Sequence, residues 1–237
     1  MTDNPKTVEI KVTVANDLVD GAAKAFALRD SDAERRKIWF CESRAGLADR
    51  KLLLLDRGII LRLRAIPDDP DDATLKLRAK ALPDLPAELD FEVQGDWAGD
   101  HRLLSASMVS KVPGKQIREA VASDGDLSQA FSAVQLSYLS DHCDPPIEAT
   151  ALQALGPIQA SKWSSILVAG FPHTLRAELW EVPGLRFLEF SIEVSWADAE
   201  TAQARLHREL TSRGLAVGLD QAPKTTLVLR PLAGTDR

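Results

Sequence analysis

Charged and apolar residues alternate with a period of two in segment after segment of this chain, and that pattern confines it to folds built on two-faced β-strands. In the stretch 57–64, Arg62 and Arg64 share one face while Leu61 and Leu63 take the other. In the stretch 74–80, Lys76, Arg78 and Lys80 oppose Leu75 and Leu77. If these two strands pair, five cations crowd one sheet face, and like charges on neighbouring strands repel. Solvent, acidic neighbours or a polyanionic ligand must compensate them.

Acidic strands alternate in the same way. Glu9 and Lys11 oppose Val8, Ile10 and Val12, and Glu88, Asp90 and Glu92 oppose Leu89, Phe91 and Val93. Glu189 and Glu193 oppose Leu188, Phe190, Ile192 and Val194, and Arg176 and Glu178 oppose Leu175, Ala177 and Leu179. Two arrangements account for this. An antiparallel sheet with one face in water shows clean alternation with charge on the wet side. Alternatively, the charged faces turn inward and line a polar channel in a closed barrel, where basic groups grip a phosphate chain and carboxylates hold a divalent cation. The fold class expected is α+β, an antiparallel β-barrel or tunnel with flanking helices, as in the second arrangement.

Taken in order, these motifs resemble the CYTH superfamily, the triphosphate tunnel proteins. Glu9-Ile10-Lys11 is similar to the end of that family's Glu-x-Glu-x-Lys signature. Ile38-Trp39-Phe40 and the stretch 52–64, ending in Leu61-Arg62-Leu63-Arg64, resemble its second and third strands. Thr74-Leu75-Lys76 resembles its Thr-Leu-Lys strand, Asp90 and Glu92 its paired acidic strand, Glu189 an acid of a late strand and Lys224 the lysine of a closing strand. The resemblance implies a metal-dependent hydrolase or nucleotidyl transferase acting on a triphosphate-containing small molecule, by analogy with inorganic triphosphatases, thiamine triphosphatases and class IV adenylate cyclases. It implies Glu9 and Lys11 as catalytic residues. Lys11, Arg62, Arg64, Lys76, Arg78, Arg176 and Lys224 would bind the substrate, and Glu9, Glu92 and Glu189 would hold Mg²⁺ or Mn²⁺. Such a reaction needs positioning and charge neutralisation rather than a protein nucleophile. The chain departs from the family at three places: Thr7 stands for the first Glu of the signature, Cys41-Glu42 for Asp-Thr, and Ser191 for a second late acid. The basic set is the better kept. The alternative reading is therefore a noncatalytic or degenerate module that binds a polyphosphate or nucleotide.

Composition narrows the partners. With a net charge of -6 and a pI near 5.3, neither nucleic acid nor an acidic membrane is expected as a partner. A small-molecule triphosphate or polyphosphate is, because local field outweighs net charge at close range. Two cysteines, Cys41 and Cys143, make a disulfide framework improbable on compositional grounds and fit a cytoplasmic location. The polar opening Met1-Thr2-Asp3-Asn4-Pro5 does not read as a signal peptide. Asp141-His142-Cys143-Asp144 contains metal-ligating types, but adjacent residues do not readily converge on one ion, so it reads as a loop. The five tryptophans read chiefly as core.

The chain of 237 residues reads as a single domain, 1–237, with a two-half organisation whose seam lies near 145–157. Strands are expected at about 7–14, 35–41, 59–66, 73–81, 88–95, 162–168, 173–182, 186–195 and 225–229. Helices are expected over about 17–29, 126–140 and 197–213, and Gly214 is expected to stop the last of these. Gly58 is expected at positive φ, and Val182-Pro183-Gly184 as a hairpin turn.

Overall fold

The apolar faces anticipated on 8–12, 61–63, 75–77 and 188–194 are buried in the computed structural model, which describes residues 4–67, 69–122, 126–215 and 221–234, whereas on 89–93 Leu89 and Phe91 are half-buried and Val93 is exposed. Met1–Asp3, the start of the polar opening, and Asp68 of the 67–72 turn lie outside the described residues. The strands are β1 (Thr7–Ala15), β2 (Glu34–Ser43), β3 (Ile59–Ala65), β4 (Asp71–Ala79), β5 (Glu92–Ala98), β6 (His101–Val112), β7 (Leu152–Ile166), β8 (Leu175–Val182) and β9 (Leu185–Ser195). The α-helices are α1 (Leu18–Ala25), α2 (Arg44–Ala48), α3 (Leu53–Asp56), α4 (Gln116–Ala122), α5 (Ala133–Asp141), α6 (Ala199–Ser212) and α7 (Lys224–Leu232). The strands hydrogen-bond in the order β1-β5-β6-β4-β3-β2-β7-β8-β9, and β9 returns to β1, so the sheet is a closed barrel. The pairing is mixed: β1 runs parallel to β5 but antiparallel to β9.

Two compact units divide the chain. The first comprises Met1–Arg35, Val93–Ser105 and Gln159–Lys224. Its core contains Val8, Ile10, Val12 and Val14 of β1 and Leu188, Phe190, Ile192 and Val194 of β9, together with Val19 and Ala22 of α1 and Ala199, Ala202, Leu206 and Leu210 of α6. Those α6 positions fall at helical spacing on one stripe. Full burial of each Val, Leu, Ile or Phe side chain contributes about 1.5–3 kcal/mol. Gly95 of β5 must be glycine: a Cβ there would lie 2.9 Å from Val8 Cγ2 and 3.1 Å from the Trp196 ring. The β8–β9 hairpin turns through Pro183 and Gly184, whose φ is 77°, as its sequence requires.

The second unit comprises Arg36–Glu92, Ala106–Ile158 and Thr225–Arg237. Its core joins Leu61 and Leu63 of β3 and Leu75 and Leu77 of β4 to Ile117 and Ala120 of α4 and Tyr138 and Leu139 of α5. One buried amide ties this unit together. Gln135 Nε2 donates to Ala73 O at 3.1 Å and Met108 O at 3.0 Å, and its Oε1 accepts from Ser110 Oγ and from Ser132 N–H. Ser132 and Gln135 form a capping box, so the residue that starts α5 also fixes it to β4 and β6.

Several expectations are corrected. Glu88 and Asp90 precede β5 rather than lying on it, because Leu89 N–H closes a turn onto Pro86 O. The stretch 101–112, whose sequence pattern is ambiguous, is a full strand, and β7 begins at Leu152 and runs through Gly156-Pro157 instead of breaking there. Gly156 allows this: its φ is 141°, and a Cβ would come within 2.8 Å of Ile38 O. The stretch 225–229 is not a closing strand but part of α7, with Thr225, Val228 and Leu229 buried at helical spacing.

Gly58 adopts φ 71°, as anticipated, and its carbonyl accepts Arg78 N–H at 2.8 Å. A Cβ at that position would run into Arg78 O. Gly58→Ala should therefore destabilise by about 1–3 kcal/mol or more in urea unfolding. Gly21→Ala, in the exposed interior of α1 with nothing within 4 Å of the new Cβ, should instead stabilise by about 0.5–1 kcal/mol.

Candidate functional site

In the second unit, the face of β3 and β4 away from α4 and α5 carries Arg62, Arg64, Lys76 and Arg78. The register sets Arg62 opposite Thr74, Arg64 opposite Asp72 and Lys76 opposite Ile60. Arg64 grips the buried Asp72 through both Nε and Nη2, at 2.9 and 2.7 Å. Arg62 Nη2 donates to Thr74 Oγ1 at 3.1 Å. All four cations are intermediate in exposure, whereas Lys80, beyond the strand, is exposed. On these two strands four cations thus share a face with one carboxylate, Asp72, because its neighbour Asp71 points the other way and accepts Ile66 N–H. The partner strand β2 is buried on both faces from Ile38 to Glu42, which places Ile38 and Phe40 beside Arg64 and Arg62.

In the first unit, the polar face of β1, β5, β8 and β9 is richer in acid. Glu9 stands opposite Glu193 on β9 and Asp96 on β5, and Glu178 stands opposite Glu189. Two lysines bridge these carboxylates. Lys11 Nζ lies 2.8 Å from both Glu9 Oε2 and Asp96 Oδ1. Lys224 Nζ lies 2.9 Å from Glu189 Oε1, contacts Glu178 Oε2 and sits 4.2 Å from the centroid of the buried Trp180 ring. Burial opposes the charge on Lys224, but the two carboxylates outweigh it and raise its pKa above the ordinary lysine value. Arg176 pairs with Glu193 at 3.3 Å, half-exposed.

The expected metal ligands do not gather. Glu9 and Glu189 each hold a lysine, and Glu92 is exposed at the start of β5. Among the described residues, no group of three or more His, Cys, Asp or Glu side chains could hold a metal ion. The arrangement as it stands therefore does not fit Mg²⁺ or Mn²⁺ on Glu9, Glu92 and Glu189. Nor does 141–144 form a cluster: His142 stacks on Tyr138, Asp141 accepts from Ser140, and Cys143 is buried. Both cysteines are free thiols, and burial raises the pKa of each, the reverse of what a reactive thiolate needs.

Sequence reasoning missed Asp96. The alternation of Glu88, Asp90 and Glu92 predicts the strand from about 88, whereas β5 starts at Glu92. The usable signal was Gly95, whose missing side chain lets β5 lie against Val8 and puts Asp96 beside Glu9. It also left the Glu42 departure unexplained. Glu42 is a buried cap: its carboxylate accepts Leu54 N–H at 3.1 Å, Leu55 N–H at 2.7 Å and Ser43 N–H at 3.0 Å.

No family model matches the chain, and no curated protein matches it. Solved structures do. One is HpAC1 of Hippeastrum, a candidate adenylyl cyclase described as having a dominant triphosphatase activity; it is 14% identical, with 95% of this chain and 96% of that one covered and a TM-score of 0.65. Another is a candidate adenylate cyclase of Bacillus halodurans, 14% identical, with 94% and 95% covered and a TM-score of 0.56. The chain shares the fold of these two structures, a closed barrel with flanking helices. No helix among the described residues is long and apolar enough to cross a membrane.

Glu42 gives a pH test. Burial raises its pKa above the ordinary 4.5, more than its three backbone donors lower it. The folded state thus holds the proton more tightly than the unfolded one. Its contribution is fully present below the unfolded value and is lost as pH rises through the folded one. Unfolding free energies for wild type and Glu42→Gln, measured by urea at a series of pH values, should show wild type losing ground to the variant as pH climbs from about 4.5.

Proposed function

We propose that this protein binds a triphosphate-containing small molecule through Arg62, Arg64, Lys76 and Arg78 and acts on it as a triphosphatase. The observation that carries the reading is the basic face of β3 and β4, where four cations share the surface with one carboxylate. Guanidinium groups bind phosphate oxygens by charge-assisted and often bidentate hydrogen bonds. Pairs of basic strands can hold successive phosphates in line, and phosphoryl transfer gains most from such positioning. The description of HpAC1 as predominantly a triphosphatase supports this choice over cyclisation.

A second reading is favoured by Thr7 and Ser191, and by the lysines seated on Glu9 and Glu189. It is a noncatalytic module that binds the same polyanion. The two part on turnover, not on binding.

Isothermal titration should show tripolyphosphate preferred over orthophosphate. Arg62→Ala should weaken tripolyphosphate binding by roughly 1.5–3 kcal/mol, at least tenfold. Equal affinity in wild type and Arg62→Ala removes this residue from the site. Release of phosphate from tripolyphosphate, followed alongside, separates the enzyme from the module.

A further inference from the structure

The two bridging lysines place a cation where each acid pair needs one. Two carboxylates brought side by side on adjacent strands repel, and a cation between them relieves the repulsion. In the first unit that cation is already part of the chain. Lys11 joins β1 to β5 through Glu9 and Asp96, and Lys224 joins β8 to β9 through Glu178 and Glu189. Both ammonium groups are nearly buried, with side chains 11% and 12% exposed, so neither pair is a solvated surface contact. Lys224 is further held by Trp180, whose ring faces the ammonium. The chain entering it is pinned as well: Thr13 N–H of β1 donates to the buried Gln221 Oε1 at 2.7 Å, three residues before Lys224.

We infer that these lysines are built-in counter-cations that take the place of a divalent ion, so that triphosphate binding by this protein does not require Mg²⁺ or Mn²⁺. The inference rests on the triphosphate reading above for its ligand, but its lysine geometry stands apart from it. A divalent ion would have to displace an ammonium from two carboxylates in a site that burial has already dried. Hard divalent cations need several oxygen ligands, and each pair offers its carboxylates only after the lysine leaves.

Two measurements on the full chain, stripped with chelator, test this. The first is titration with Mn²⁺ alone, read by electron paramagnetic resonance. Wild type should show no saturable site, Lys224→Met should gain one, and Lys224→Met combined with Glu189→Gln should lose it again. Saturable Mn²⁺ binding by wild type that Glu189→Gln abolishes overturns the proposal. If Lys224→Met does not fold, Lys11→Met is read in its place with Glu9→Gln as the second change, and the wild-type titration decides by itself. The second is tripolyphosphate calorimetry in EDTA and in Mg²⁺. Binding should persist in EDTA and not be strengthened by Mg²⁺; binding seen only with metal overturns the proposal. Failure of tripolyphosphate to bind under any condition sinks the triphosphate reading instead, and the Mn²⁺ titration then decides the lysine assignment.

Discussion

Charge on a strand face has to be answered from the strand beside it, and most of what is distinctive in this barrel follows from how that is done. A sheet side chain has fixed neighbours: the residue opposite and the two diagonals. Where those neighbours are Glu9 and Asp96, or Glu178 and Glu189, the answer is a lysine placed between them, and Glu193 is answered by Arg176. Where they are Arg62, Arg64, Lys76 and Arg78, Asp72 answers Arg64 through a bidentate grip. The first pattern is self-contained. The second sets four cations and one carboxylate on one face of β3 and β4, and the proposed polyanion ligand rests on that face.

Buried pairs of this kind are poor sources of net stability, since desolvation offsets most of the Coulomb attraction. Their strength lies in the penalty for removing one partner. Taking away Lys224 strands two carboxylates in a dry site, with a cost of about 3–5 kcal/mol for an uncompensated buried charge. Geometry is therefore enforced more firmly than stability is raised. Glu42 shows the same logic without a cation: three backbone N–H groups hold its carboxylate, yet burial still raises its pKa.

The strand faces were legible because period two is a direct consequence of the pleat. Val8 to Val14, Leu61, Leu63, Leu75, Leu77 and Leu188 to Val194 all turned to the cores they were expected to fill. Less legible was anything settled by a distant segment. Asp96 depends on Gly95 meeting Val8, and the uninterrupted course of β7 depends on Gly156 lying against Ile38 O. Thr225 to Leu229 reads equally as a short strand or a turn of helix, because so short an apolar run fits both periods; burial at Thr225, Val228 and Leu229 picks the helix. The basic half of the candidate site could be read from local alternation. The pairing of Lys224 with Glu178 and Glu189 could not, because it joins α7 to two strands far back in the sequence.

The β1–β9 ladder has a consequence for how the chain is made. Thr7 pairs with Ser195 and Ala15 with Phe187, so residues 16–184, most of the chain, separate the two strands. At ribosomal speeds of about 5–20 residues per second, β1 waits on the order of ten seconds or longer before β9 exists. Throughout that interval the nascent polypeptide carries an open edge, Val8 to Val14 have no β9 side chains to meet, and loop-closure entropy slows the final zipping. The alternating Glu9 and Lys11 along that edge then act as gatekeepers, interrupting an otherwise valine- and isoleucine-rich segment that would template aggregation.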